Sequence, residues 1–257
     1  MQKTIFITGG GRGIGKTTAI LFAKKGWKIG LMDVNPTDLA QVQQEIGKEH
    51  CHIFVGDVTK PDTIETALKQ FTDAYNGQLN VLFNNAGILH TDGFEQPDLS
   101  IHQKIAKVNF IGCINTTYKA LPYLKATPNS KIISMGSASS LYGNPEIPVY
   151  TATKSAIKSI TEGWSLEFEK HSISVSALHP IFVKTKMVTD NYGKMSKLEP
   201  KDVKLTPEMV AKTAWKAVHS SKVHWYIGAD TKVFEFLLRI VPNGLARWVV
   251  KKILKYE

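Results

Sequence analysis

Ser137, Tyr150 and Lys154 are the residues of this chain best equipped for chemistry. Ser137 opens a run, Ala138-Ser-Ser-Leu-Tyr-Gly-Asn-Pro-Glu-Ile-Pro-Val149, that leads into Tyr150-Thr-Ala-Thr-Lys154. Tyr and Lys four apart on a helix project from the same face. A phenol ordinarily titrates near ~10 and is a poor proton shuttle at neutral pH, but a neighbouring ammonium favours its phenolate. Such a pair can exchange a proton with an alcohol oxygen, and Ser137 can hold that oxygen by a hydrogen bond. Taken alone, the Tyr-x-x-x-Lys spacing is also that of an ordinary helix start after a proline-rich loop. The elements around it decide its meaning.

The N-terminus offers a partner for that chemistry. Lys3-Thr-Ile-Phe-Ile-Thr8 is a short β-branched run of the kind that forms a buried strand. The glycine turn Gly9-Gly-Gly-Arg-Gly13-Ile-Gly15 follows, and Lys16 to Lys24 reads as a helix. A strand, a glycine turn and a helix N-terminus aim backbone N–H groups and a positive dipole end at phosphate. Two templates compete here. Gly10-x-x-x-x-Gly15-Lys16-Thr17 has the letters of a P-loop, whereas the strict G-x-G-x-x-G fingerprint fails because its third glycine falls on Ile14. A P-loop enzyme also needs a second strand ending in a magnesium-binding Asp. Leu79 to Phe83 instead runs into Asn84-Asn85-Ala86-Gly87, and Ile132-Ile133-Ser134 ends in serines. The strand that does end in Asp, Trp27 to Asp33, directly follows the first helix. That is where a dinucleotide fold places the carboxylate for the adenosine ribose. Dinucleotide binding is the preferred reading, with a nucleotide-triphosphate enzyme using Gly10–Thr17 as the alternative.

Strand and helix patterns then alternate. Helices are expected over Pro36–Lys48, Pro61–Tyr75, Leu99–Leu124 with a break near Pro122, Val149–Lys170 and Pro207–Val218. Strands are expected over Cys51–Val55, Lys131–Ser134, Ile173–Ala177 and Val223–Ile227. This alternation predicts an α/β fold: a single Rossmann-type doubly wound parallel sheet of about seven strands with helices on both faces. Ligands of such sheets bind at the carboxyl ends of the strands, where Asp33, Asp57, Asn84, Ser137 and His179-Pro180 fall.

Composition agrees. A chain of 257 residues, 43% hydrophobic, can form one large domain. Residues 1–230 are expected to hold it, with a substrate lid at about 186–205 and a basic helical extension over 231–257. No apolar run reaches 18 residues, and Met1-Gln2-Lys3 leads directly into the first strand. A cytoplasmic location, with or without membrane association, is the expectation. Cys51 and Cys113 are isolated, the histidines form no ligand cluster, and no metal site is expected.

Thr8-Gly9-x-x-x-Gly13-x-Gly15, Asp57-Val58, Asn84-Asn85-Ala86-Gly87, Asn109, Ser137 and Tyr150-x-x-x-Lys154 together resemble the short-chain dehydrogenase/reductase (SDR) family, in that family's order and spacing. The resemblance runs from about Lys3 to Thr185 and loosely on to Tyr226. It implies an NAD(P)-dependent oxidoreductase acting on an alcohol or ketone. Tyr150 would be general acid/base, Lys154 would lower its pKa and hold the nicotinamide ribose, Ser137 would orient substrate, and Asn109 would hold a relay water. Gly9, Arg12, Gly13, Ile14 and Gly15 would surround the pyrophosphate. Asp33 would bind the adenosine ribose, Asp57 and Val58 would flank adenine, Asn84, Ala86 and Gly87 would lie beside the ribose, and Pro180, Val183 and Thr185 would face the nicotinamide. The Asp33 charge favours NAD by repelling a 2′-phosphate, while Arg12 keeps NADP open. The family usually continues Pro-Gly where this chain has Pro180-Ile181. His179 next to it either reaches substrate or is structural. The family habit of dimers and tetramers suggests a homo-oligomer built on the two long central helices.

Leu141, Tyr142, Pro145, Ile147, Phe182, Met187 and Val188 are the expected substrate-lining or lid residues; their largely apolar character, with no paired Arg or Lys, suggests a lipophilic secondary alcohol or ketone. In the C-terminal stretch, Val233, Phe236, Leu237 and Ile240 share one helical face. Beyond Pro242-Asn243-Gly244, Leu245, Trp248, Val249, Ile253 and Tyr256 oppose Arg247, Lys251 and Lys255. Such a tail suits a membrane surface or packs as a lid or subunit contact. It accounts for part of the net charge of +10. No nucleic-acid recognition motif accompanies that charge.

Overall fold

The computed structural model describes residues 2–193, 199–240, 245, 247–248 and 251–252. Its seven strands are β1 (Thr4–Thr8), β2 (Lys28–Asp33), β3 (Cys51–Val55), β4 (Val81–Asn84), β5 (Lys131–Met135), β6 (Ser174–Pro180) and β7 (His224–Ile227). They form one parallel sheet in the order β3-β2-β1-β4-β5-β6-β7. The order reverses between β1 and β4, and a crevice opens at such a switch point beyond the strand ends.

Every residue of β1 is buried, and its side chains alternate between two apolar layers. Ile5 and Ile7 join the layer of α1 (Gly13–Lys24), α2 (Pro36–Ile46) and α8 (Pro207–Val218), where Phe22, Trp27 and Trp215 meet edge to face at 5.1–5.9 Å. Phe6 joins the opposite layer with Phe71 of α3 (Pro61–Asp73), Leu124 of α5 (Gly112–Lys125) and Phe168 just beyond α6 (Pro148–Glu167). Burial on both faces explains why the strands read as continuous apolar runs.

The helical stretch expected over Leu99–Leu124 breaks, but not at Pro122. α4 (Leu99–Ala106) passes through a π turn at Lys107–Ile111 into α5, which carries Pro122 near its end. The cause is Asn109: its Oδ1 accepts from Ile88 N at 2.8 Å and its Nδ2 donates to the Ile88 carbonyl at 2.9 Å, clamping the segment that follows β4. β6 extends through His179 and Pro180 because those residues pair with Tyr226 and Ile227 of β7. Cys51 and Cys113 are buried free thiols. The short α7 (Lys186–Thr189) follows a bridge that ties Val183 to Leu205. α9 (Ala229–Ile240) leaves Val233, Phe236 and Leu237 exposed. The expectations for residues 194–198 of the lid, Pro242-Asn243-Gly244, Val249, Ile253, Lys255, Tyr256 and the Ile240 side chain lie outside what is described.

Candidate active site

One cavity of about 520 Å³ lies along the carboxyl ends of the strands, lined from Gly9, Arg12, Gly13, Ile14 and Asp33 across to Ser137, Tyr150, Lys154 and Thr185. β2 and β5 are three strand spacings apart, roughly 14 Å across the sheet, with Asp33 ending one and Ser137 following the other.

At the first end, the chain leaves β1 with Gly9 at φ +64, and a Cβ there would stand 2.8 Å from the Ala86 Cα. Only glycine fits that conformation so close to another backbone. Gly15 is not part of the wall: its missing Cβ makes room for the Gly9 carbonyl, so it sets the approach of α1 to the turn. α1 begins at Gly13 with no capping side chain and no acid in its first turn, so its N-terminus suits an anion. Asp33 accepts from the Gly11 N–H at 3.0 Å through Oδ2 and from the Asn35 N–H at 3.1 Å through Oδ1. Its carboxylate is thereby fixed with lone pairs still free for hydroxyl donors. Asp57 and Val58 line the same end. These features fit a dinucleotide: a glycine turn leading into an uncapped helix N-terminus, an oriented carboxylate and a long crevice.

The P-loop alternative fails on geometry. Lys16, which would reach phosphate, pairs with Glu45 of α2 at 2.7 Å, and Thr17 donates to the Gly13 carbonyl. Neither lines the cavity.

At the other end, Ser137 follows β5, and Tyr150 and Lys154 lie in the first two turns of α6, which starts at Pro148. Lys154 is buried; its Nζ donates to the Met135 carbonyl at 2.8 Å and stands 5.5 Å from the Tyr150 ring centroid. Desolvation pushes the phenol up to about 12, with the Ser137 hydroxyl pulling the other way. Burial likewise pushes Lys154 down to about 8, partly opposed by Cys113. At neutral pH Tyr150 therefore holds its proton and Lys154 its charge. Gly87 brings Asn109 beside this group: a Cβ on Gly87 would lie 3.4 Å from Asn109 Oδ1 and 3.8 Å from Lys154 Nζ. Thr185 packs against Gly13 from the far wall, with Pro180 and Val183 next to it.

Some expected residues stand elsewhere. Asn84 turns inward and donates to Thr117 Oγ1 at 2.9 Å. Its neighbour Asn85 faces the cavity, holding the Thr8 and Gly9 carbonyls at 3.0 and 2.9 Å. Asn109 spends its side chain on Ile88 and does not line the wall. Of the substrate set Met187 and Val188 line the cavity; Ile147 and Phe182 support Tyr150 from behind in a small cluster with Val188, and Leu141, Tyr142 and Pro145 lie off the wall. The rest of the apolar lining comes from Ile88, Val108 and Ile181, with Lys104 at the rim. Ile181 needs no glycine: among the described residues, the non-glycine positions with positive φ are Asn76, Asp92, Asn129 and Ser172.

The model of the short chain dehydrogenase family matches residues 3–195. The chain belongs to that family. It is an NAD(P)-dependent oxidoreductase of the dehydrogenase/reductase class. The short-chain dehydrogenase is 27% identical to a putative oxidoreductase, SadH, of Mycobacterium tuberculosis over 99% of this chain and 96% of that one. It is 29% identical to a cyclohexanol dehydrogenase of an Acinetobacter strain over 82% and 85%. Its fold superposes with a TM-score of 0.78 on a 3-ketoacyl-(acyl-carrier-protein) reductase of Brucella melitensis in complex with NADH, at 26% identity over 88% and 96% of the chains.

Proposed function

We propose that the enzyme interconverts a lipophilic secondary alcohol and its ketone, with NAD as the preferred hydride carrier. One observation carries this reading: a single crevice has the fixed Asp33 carboxylate at one end and Ser137, Tyr150 and Lys154 beside an apolar wall at the other. A nicotinamide supplies the hydride when bound. Gly9, Gly13 and the α1 N-terminus would hold its pyrophosphate, and Asp33 the adenosine ribose. The chain's own work is proton transfer and orientation: Ser137 holds the substrate oxygen, Tyr150 donates or accepts its proton, and the Lys154 ammonium favours the phenolate left behind. The segment 186–205, tied at its base by Val183 and Leu205, closes over substrate. The cyclohexanol dehydrogenase among the relatives supports the alcohol class. Titrating NADH, NADPH and Mg-ATP by nicotinamide fluorescence and competition tests the cofactor; secondary alcohols of graded size test the substrate. Tight Mg-ATP binding without NADH binding would refute the reading.

Asp33 gives a sharper test. Asp33→Ala removes the charge that repels a 2′-phosphate and is expected to raise NADPH efficiency relative to NADH. A wild-type enzyme that already prefers NADPH would overturn this and make Arg12 the deciding residue.

Exposed Tyr118 and Leu166 on α5 and α6 form the face on which we place a second copy of the chain, to be read by light scattering as a dimer or tetramer. A monomer would refute it. α9 leaves Val233, Phe236 and Leu237 exposed, and Leu245 and Trp248 are exposed as well. Residues 231–257 carry six Lys or Arg against two Glu, a charge complementary to an anionic membrane surface, and we assign the tail to it. Among the described residues no helix is long and apolar enough to cross a membrane. Replacing Arg247, Lys251 and Lys255 by Gln keeps helix propensity and is expected to abolish salt-sensitive binding to anionic liposomes while the protein stays folded and active. Equal binding by both proteins, or by neither, would return the tail to a packing role.

A further inference from the structure

A hydrogen-bonded chain runs behind the catalytic loop to the protein surface. His179, on β6, has no solvent exposure. Its Nδ1 lies 3.2 Å from Ser140 Oγ and 3.3 Å from the Ser137 carbonyl oxygen. Its Nε2 lies 3.0 Å from Nδ1 of His224 on β7, and Nε2 of His224 lies 2.9 Å from Oε1 of Glu162 on α6. The ring has no freedom to turn away: it stacks on Tyr226 at 4.9 Å, and a Cβ on Gly136 would meet Nδ1 at 2.6 Å.

The donors and acceptors fix where the protons sit. The Ser140 hydroxyl donates to the Ser137 carbonyl at 2.7 Å, so towards His179 its oxygen accepts. Both neighbours of His179 Nδ1 are then acceptors, and Nδ1 carries a hydrogen. Burial, reinforced by His224, holds His179 neutral, pushing it down to about 3. Its Nε2 therefore accepts, and Nδ1 of His224 donates. Nε2 of His224 faces a carboxylate and donates as well. That arrangement calls for a proton on both ring nitrogens of His224.

We propose that His224, held as an imidazolium between Glu162 and His179, fixes the Ser137 loop in its working geometry, so that turnover depends on the protonation of a group outside the cavity. His224 and His179 are positioning residues; neither lines the cavity. The groups facing His224 are Glu162 and Lys158 from α6, His179 from β6 and Tyr226 on its own strand. Lys158 shares Glu162 Oε1 at 2.6 Å, and Lys158 and Lys154 both add positive charge around His179. When His224 loses a proton it can donate from only one nitrogen. Either Glu162 loses its donor, or His179 does, or His179 moves its own proton to Nε2 and withdraws the Nδ1–H from the Ser137 carbonyl; the last two alter the link to the Ser137 loop.

The proposal rests on Ser137 acting in catalysis, and its test has one arm that does not need turnover. In that arm, ring ¹H–¹⁵N spectra at neutral pH should show two N–H protons on His224; one would overturn the assignment. Protection of the Ser139 amide, which donates to Ser137 Oγ at 3.2 Å, should fall in His224→Gln relative to its intrinsic exchange rate. Unchanged protection sinks the positioning role whatever the reaction is. In the kinetic arm, with NADH and cyclohexanone as probes, His224→Gln should lower kcat a few-fold to about tenfold, the size of one net hydrogen bond, with KM for NADH unchanged. Glu162→Gln should move the high-pH loss of kcat to lower pH in the wild-type background and do nothing in His224→Gln. An equal shift in both backgrounds, or none in either, would show that the chain does not carry the effect. Full activity of Tyr150→Phe would instead refute the catalytic reading, leaving the spectroscopic result to stand.

Discussion

Tyr150→Phe is expected to lower kcat by about 10²–10⁴-fold, the range of a positioned general acid or base, while leaving NADH binding intact. The substitution removes one hydroxyl. The ring keeps its place because its support is apolar, from Ile147, Phe182 and Val188. The two groups left beside it are weaker substitutes: the aliphatic hydroxyl of Ser137 is a far poorer acid than a phenol, and the Lys154 Nζ is held on the Met135 carbonyl, 5.5 Å from the ring centroid. With the phenol pushed up to about 12, the resting enzyme presents a protonated Tyr150, suited to donating to a ketone oxygen. The reverse direction needs the phenolate and should gain rate as pH rises. Steady-state rates of both proteins, with NADH affinity by fluorescence, check this. A Phe variant with near-wild-type kcat would refute the proton-transfer assignment.

The sheet was legible because parallel strands are buried on both faces and punctuated by glycine and proline. β3 and α8 have the boundaries that Cys51–Val55 and Pro207–Val218 predict, and α2 and α3 start at the prolines that open them. The π turn at Lys107–Ile111 left no local signal, since its cause is a clamp between Asn109 and Ile88, 21 residues apart. Pro122 marks no break: α5 runs through it to Lys125, forgoing the one ladder bond that its absent N–H would make. The C-terminal half of β6 was missed because its partner is the edge strand β7, far away in sequence.

The site divides in the same way. The turn after β1, Asp33, Ser137, Tyr150 and Lys154 could be found because spacing alone puts them at strand ends or on one helix face. Asn84 and Asn85 could not be told apart, since alternate residues of a strand face opposite ways and the register that decides between them comes from pairing with β1 and β5. The substrate wall was the least legible. Ile88, Lys104 and Val108 reach the cavity from either side of the Asn109 clamp, and Leu141 and Tyr142 are carried off it by the short 3₁₀ turn at Ala138–Leu141. His179 was read as either a substrate contact or a structural residue; in the structure it faces Ser140 and His224.

Gly15→Val is expected to cost both stability and cofactor binding. A Cβ at this position would lie 2.2 Å from the Gly9 carbonyl oxygen, 3.0 Å from its carbon and 2.7 Å from Asn85 Nδ2. Two of those atoms are backbone and cannot rotate away. The third already holds the Thr8 and Gly9 carbonyls. Relief requires α1 to move off the glycine turn, which pulls the helix N-terminus away from where a pyrophosphate would sit. Overpacking of this kind costs about 1–3 kcal/mol, occasionally more, and each kcal/mol lowers the melting temperature of a domain this size by roughly 2–4 °C. The loss of NADH affinity should exceed the loss in an Asp33→Ala variant, because that variant loses one carboxylate while Gly15→Val displaces the whole turn. Gly26→Ala makes the control: a Cβ there meets nothing within 4 Å, although its φ of +80 carries some strain. If Gly15→Val bound NADH like wild type, the close approach of α1 to Gly9 would have no part in holding the cofactor.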